Sequence, residues 1–319
     1  MRYASFSELL TLEKGVEETT DWQHRPENSY VQDGRALVSK VQADGRDLKE
    51  AIRASVDLIG GFQRVLKPGD WVFIKPNFNS PDPAPAATDV QFLAAVIQLL
   101  REAGVREIAL GDRSGWPSLP TSDVMEKLGV FAMAKDLGVE AIPFDDEPWM
   151  DVRMGSEAQW WKKVAMPQAL KRFDKFIYLP CLKTHRLAGF TGSLKLNVGL
   201  THTAEMPHLH ADFRLGRVQE PMYLKMLEFC LPAGPDLIIM DARKAFVTGG
   251  PISGELVEPG IVMASGDRIA IDVEGVRILQ QYPRDNHLQV PVWDMPLIRR
   301  AVELGLGVAS EAEYRVVTE

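Results

Sequence analysis

Residues 183–197 hold the densest chemistry in the chain: Lys183, Thr184, His185, Arg186, Thr191, Ser193, Lys195 and Asn197, with Gly189 and Gly192 between them. Ammonium groups attract an anion, and glycines let backbone amides turn towards it. An imidazole poised near neutral pH adds proton transfer. Lys183 and Lys195 are therefore expected to hold a carboxylate or phosphate, with His185 moving a proton; these three are the catalytic candidates. The competing reading is a solvated basic loop. The segment is not a Walker A loop, because Gly189 to Lys195 lacks the spacing and the Lys-Ser/Thr ending, so nucleotide binding has no motif support.

Three further places put polar groups beside apolar runs. Lys75-Pro76-Asn77 follows Trp71-Val72-Phe73-Ile74, so Lys75 and Asn77 are substrate-binding candidates, against a lysine simply paired with a carboxylate. Asp241 follows Leu237-Ile238-Ile239-Met240 and precedes the glycine-rich 248–254, and with Asn197 it completes that set. Four of the six histidines fall between positions 185 and 210. In His208-Leu209-His210-Ala211-Asp212, an extended backbone would put both imidazoles and the carboxylate on one face, which suits a divalent transition metal. The run superficially resembles the His-x-His-x-Asp-His motif of metallo-β-lactamase-like hydrolases, with Phe213 in place of the last histidine. Hydrogen-bonded acid/base or structural histidines remain alternatives. Asp267 and Asp272 are weaker candidates, Asp267 reading as a helix cap.

The elements that must carry these groups alternate. Strands are expected at 36–41, 71–75, 108–111, 139–143, 176–179, 237–240 and 261–264. Helices are expected from Asp47, from Thr88 or Asp89 to Gly104, from Ser122 or Asp123 to Gly138, from Asp267 or Arg268, and from Pro296. This rhythm means an α/β fold: a mostly parallel sheet with helices on both faces, read as two α/β halves sharing a cleft. Residues 1–34 read as a polar arm suited to homo-oligomer contacts, 35–150 as the first half and 151–319 as the second, which carries the His/Lys-rich loop. Residues 146–170 look irregular, and 180–220 looks like a long polar loop. In parallel sheets the loops after the strands carry ligands.

The bulk numbers bound the function. A chain of 319 residues, 45% hydrophobic, can bury a sizeable core unaided. A net charge of −8 argues against nucleic acid as partner. Two cysteines, Cys181 and Cys230, are too few for a disulfide framework or an iron–sulfur cluster. No signal peptide or membrane-length apolar run is evident, so a cytoplasmic protein is expected. No Gly-x-Ser-x-Gly, His-Glu-x-x-His or Gly-x-Gly-x-x-Gly motif occurs.

Taken in order, Lys75-Pro76-Asn77, Gly104, Asp112, Leu179-Pro180 with Lys183-Thr184-His185, Gly192 to Asn197, Gly199, Asp241, Gly250-Pro251, Gly254 and 264–272 resemble the domain of unknown function 362 family over about 35–285. The resemblance implies a common α/β fold and a shared site at Lys75, Asn77, Lys183, His185, Lys195, Asn197 and Asp241, without implying a reaction. Members with a ferredoxin-like cysteine module differ from this chain, which lacks one. A looser similarity is to lactate-racemase-like proteins, which place histidines and lysines around a nickel cofactor; the motifs do not match residue by residue. Two readings follow. One is an enzyme acting on a small anionic substrate, with metal-assisted acid/base or hydrolytic chemistry. The other is a non-catalytic protein that binds an anion or a partner's acidic tail.

Overall fold

The computed structural model describes residues 14–115, 119–209 and 222–319. Eight strands form the spine of a twelve-stranded sheet: β1 Arg35–Gln42, β2 Trp71–Lys75, β3 Glu107–Asp112, β4 Glu140–Pro143, β5 Lys175–Tyr178, β6 Leu237–Phe246, β7 Ile261–Ser265 and β8 Tyr314–Thr318. Their spatial order is β8-β1-β7-β6-β5-β2-β3-β4. Every neighbouring pair is parallel except the two that β7 makes, with β6 and with β1. The fold is α/β with a mostly parallel sheet. Residues 35–150 and 151–319 interleave in it, since β1 lies between β8 and β7.

Successive strand residues face opposite layers. Val72 and Ile74 join one buried cluster, with Ile52, Val56, Phe92, Val96 and Val130 from the helices on that face. Phe73 joins the other, with Ile271, Val276 and Ile298. Each fully buried aliphatic or aromatic side chain contributes roughly 1.5–3 kcal/mol, so burial on both faces explains why the strands read as continuous apolar runs.

The helices begin and end for local reasons. Asp47, Asp89 and Asp267 cap helices Leu48–Asp57, Val90–Glu102 and Arg268–Gln280, accepting amides of Glu50, Gln91 and Ala270; each cap is worth about 1 kcal/mol. Pro296 opens the helix Pro296–Glu303. The single helix expected up to Gly138 is two, Thr121–Lys127 and Val130–Leu137. Gly129 between them has φ +77°, a conformation that interrupts helical hydrogen bonding.

Three segments differ from the expectation. Residues 146–170 are not irregular: Trp149–Arg153 pairs antiparallel with Lys163–Pro167, and Val16–Thr20 adds to it in parallel. The buried Glu228 accepts the amides of Gln159, Trp160 and Trp161, which pins the connection. Residues 14–34 lie on the body, where His24 Nε2 is 2.7 Å from Asp236 Oδ2 and Tyr30 is fully buried. The described part of the expected polar loop, residues 180–209, is ordered too. Cys181–His185 and Gly189–Thr191 form an antiparallel hairpin, followed by the 3-10 turn Ser193–Leu200.

Candidate functional site

The crossover from β2 leads to β3 on one side, while that from β5 leads to β6 on the other. The sheet therefore reverses its winding between β2 and β5, the place where open α/β sheets form ligand crevices. Lys75 ends β2, Asp112 ends β3, and the hairpin that follows β5 carries Lys183.

Lys75 and Asp112 form a buried pair. Lys75 Nζ donates to Asp112 Oδ1 at 2.7 Å and to Pro76 O at 2.6 Å. Asp112 also accepts the amides of Phe78 at 2.6 Å and Arg113 at 2.8 Å. Burial pulls the lysine down and the carboxyl up, towards their neutral forms, and their mutual attraction opposes it. Gly199 packs onto the pair. A β-carbon there would stand 1.9 Å from Asp112 Oδ1 and 2.9 Å from Lys75 Nζ.

The hairpin register pairs Lys183 with Thr191, and the two-residue period puts Cys181, Lys183 and Thr191 on one face. Lys183 Nζ donates to Pro85 O and Ala86 O, both at 2.7 Å, and burial lowers its pKa to about 8. The Pro-rich loop after β2 is thereby tied to the hairpin. Arg113 also serves architecture: its guanidinium donates to Val198 O at 2.8 Å and to Thr201 O.

Lys195 is different. It projects from the Ser193–Leu200 turn into a cleft of about 30 Å³ that Lys75, Asn77, Asp112, Thr191 and Gly199 also line. Its Nζ meets no hydrogen-bond partner among the described residues. Burial, then repulsion from Lys183 and Arg113, lowers its pKa to about 8, with Asp112 opposing. Two more donors in the cleft walls are unmatched: Asn77 Nδ2 and Thr191 Oγ1 are buried without a hydrogen-bond partner, the Cys181 thiol being a neighbour of Asn77. Unsatisfied buried polar atoms are rare enough to demand an explanation.

Helix Arg268–Gln280 holds the turn that carries Lys195. Asp272 accepts the amides of Ser193 at 2.7 Å and Leu194 at 2.9 Å, and burial raises its pKa to about 7. The amides that the glycines were expected to offer an anion are thus filled by the protein's own carboxylate. Asn197 fixes the other end, donating to Phe229 O and Ala233 O at 2.9 Å each and accepting from Arg268.

The remaining expected residues lie apart. His185 ends the first hairpin strand, where its Nδ1 accepts the amides of Leu187 and Ala188 at 3.2 and 3.1 Å; it does not line this cleft. Asp241 does not end its strand, which runs on to Phe246, and it binds Arg243 beside a separate cleft of about 580 Å³. Residues 206–209 are helical, so the extended backbone expected at His208 does not hold; its ring lies edge-on to Trp161. His210 and Asp212 lie outside the described residues. Among the described residues no group of three or more His, Cys, Asp or Glu converges on a point. His202 is a structural histidine. Its Nδ1 accepts the Ala204 amide, and burial lowers its pKa to about 4. The sequence marks Thr191 only as one hydroxyl of the loop, without a site role, and gives no signal for Arg113. Only the hairpin register puts Thr191 opposite Lys183.

Residues 72–277 match the family described as "Domain of unknown function (DUF362)", and the chain belongs to that family. A curated relative is the "Thylakoid-associated protein sll1697" of Synechocystis sp., 26% identical over 251 residues, which cover 78% of this chain and 75% of that protein. Among solved structures, the chain is similar to a Thermotoga maritima protein, with TM-score 0.43, 12% identity and coverage of 75% of this chain and 59% of that one. It is also similar to the lactate racemase apoprotein of Thermoanaerobacterium thermosaccharolyticum, with TM-score 0.40, 12% identity and coverage of 76% and 57%. The chain spans less than two thirds of the length of either solved structure. Among the described residues no helix is long and apolar enough to cross a membrane.

Proposed function

We propose that the chain is an enzyme acting on a small substrate that bears a carboxylate or phosphate, with Lys195 as its proton carrier. The observation that carries this reading is one cleft at the switch point in which two buried donors, Asn77 Nδ2 and Thr191 Oγ1, lack partners beside Lys195, a half-buried lysine with no ion pair among the described residues. Asn77 and Thr191 would donate to the anionic group. The surrounding cations, Lys75, Lys183 and Arg113, would favour it and resist protonation of Lys195. An amine with a pKa of about 8 can take a proton from a C–H or O–H group and return it near neutral pH. In the carbon-acid case the C–H bond breaks, the electron pair delocalises onto the adjacent carbonyl or carboxyl oxygen, and the proton passes to Lys195 Nζ.

The test is proton NMR in deuterium oxide on a panel of 2-oxo acids, dicarboxylates and phosphate monoesters. The native protein should exchange substrate hydrogen for deuterium with at least one of them, and Lys195→Met should lose that exchange by 100-fold or more at unchanged folding. Undiminished exchange in Lys195→Met overturns the assignment. Stabilisation by panel members without any exchange favours the anion-binding protein instead. The divalent ion expected at His208, His210 and Asp212 is tested separately, by metal analysis of the native protein and of a His208→Ala/His210→Ala variant.

A further inference from the structure

Arg268 is 4% exposed, yet no carboxylate lies within ion-pair distance of it among the described residues. Its Nη2 donates to Ala233 O at 2.6 Å and to Asn197 Oδ1 at 3.3 Å, and its guanidinium lies 5.3 Å from the Tyr178 ring centroid. Its Nη1 is buried without a hydrogen-bond partner. Asp272, one turn further along the helix, senses the positive charge but makes no ion pair with it. A guanidinium cannot shed its proton to relieve such burial, and the groups that meet it, Ala233 O, Asn197 Oδ1 and the Tyr178 ring, are all neutral.

A cavity of about 130 Å³ adjoins it, separate from the Lys195 cleft and lined by Arg25, Cys230, Gly234, Gly266, Arg268 and Leu306 among others. One water needs roughly 10–15 Å³ of such space, so a tetrahedral oxyanion can be accommodated. Gly234 keeps the wall open, since a β-carbon there would lie 3.7 Å from Arg268 Nη2. Arg25 stands exposed at the mouth, where its Nε donates to Leu231 O and its Nη1 is 3.3 Å from Glu157 Oε1. Two guanidinium forks, one buried and one exposed, match the geometry of a phosphate or carboxylate better than single point charges do.

We propose that this cavity is a second anion site, taking inorganic phosphate or the terminal phosphate of a monoester between Arg268 and Arg25. The proposal stands apart from the enzymatic reading, because none of its lining residues belongs to the Lys195 cleft. The site also touches that cleft's support, since the same Arg268 Nη2 holds Asn197 at the end of the Lys195 turn.

The experiment titrates inorganic phosphate into the Lys195→Met chain, which removes the cleft's unpaired cation, and follows melting temperature and isothermal heat. Phosphate should bind with one-site stoichiometry. Arg25→Ala should weaken it about tenfold and Arg268→Gln should abolish it. Arg268→Gln also removes an internal support; should that variant not fold, Arg25→Ala and Gly234→Ala decide. The added methyl of Gly234→Ala makes only ordinary contacts with its surroundings while narrowing the cavity. Phenyl phosphate binding alongside phosphate assigns the site to monoesters, and phosphate alone assigns it to the free ion; either supports the site. No phosphate binding in Lys195→Met, or binding that all of these variants leave unchanged, overturns it.

Discussion

Two clefts open near the ends of the parallel strands, and the smaller one carries the unsatisfied chemistry. The larger, about 580 Å³, is lined by Asp44, Asp89, Asp241, Arg243, Lys244 and Glu258, and both of its cations are paired. Arg243 reaches Asp241 at 2.8 Å and Asp89 at 2.7 Å, and Lys244 stands 3.6 Å from Glu258. The smaller, about 30 Å³, holds one lysine in a complete ion pair, Lys75, and another with no partner, Lys195. Size measures what could enter. Unpaired donors measure what the protein has left for a ligand to complete, and these point to the smaller cleft.

The contrast between the two lysines gives the largest expected effect. Lys75→Met strands a buried carboxylate, and breaking a buried pair in that way costs about 3–5 kcal/mol. Lys195→Met removes an ammonium that nothing pairs, so stability should be unchanged or raised. Urea denaturation of both variants checks this. A Lys195→Met protein as unstable as Lys75→Met would show that Lys195 has a hidden structural partner and would remove it from the site.

Next comes the support of the Lys195 turn. In Asp272→Asn a single amide oxygen replaces two carboxylate oxygens that accept from Ser193 and Leu194. One buried N–H is left short of its acceptor, at a cost of about 1–3 kcal/mol. Substrate exchange should fall along with it, through displacement of Lys195. Full stability with normal exchange would mean that the turn is held well enough by Asn197 and Arg113.

How far the chain could be read before folding follows the same division. The strands were legible because both faces are buried, and Trp71–Lys75 shows this as a continuous apolar run ending in a charge. Asp47, Asp89 and Asp267 were legible as caps because capping is local. Lys75, Asn77 and Lys195 were picked out as polar groups next to apolar runs, and the fold brings all three to one cleft. The partnership of Lys75 with Asp112, 37 positions away, depends on adjacent parallel strands. The filling of the Gly192 turn by Asp272 depends on a helix 79 positions downstream. Composition marks such groups as polar; only topology says which of them are already satisfied.

Arg243→Met tests the larger cleft. It removes charge-assisted bonds to Asp241 and Asp89 at a partly exposed position, so solvent screening limits the loss to about 1–2 kcal/mol. Asp89 keeps its helix-capping bond to Gln91. Substrate exchange should be unchanged. A large loss of exchange would move the site to the larger cleft and restore Asp241 as a ligand-facing group.

A last comparison is the pH dependence that separates Lys195 from an ordinary surface lysine. Its pKa in the folded protein is lowered to about 8 from 10.5, so between these values the unfolded chain holds a proton that the folded one has released. Stability of the native protein relative to Lys195→Met should therefore rise as pH climbs through that window, and stay level below it. The exchange rate of the native protein should rise through about pH 8, as the neutral amine that accepts the proton becomes abundant. Parallel pH titrations of melting temperature and exchange check both. A flat stability difference combined with a rate that rises only near 10.5 would mean that Lys195 sits in open water, and the cleft would then have no claim to a tuned proton carrier.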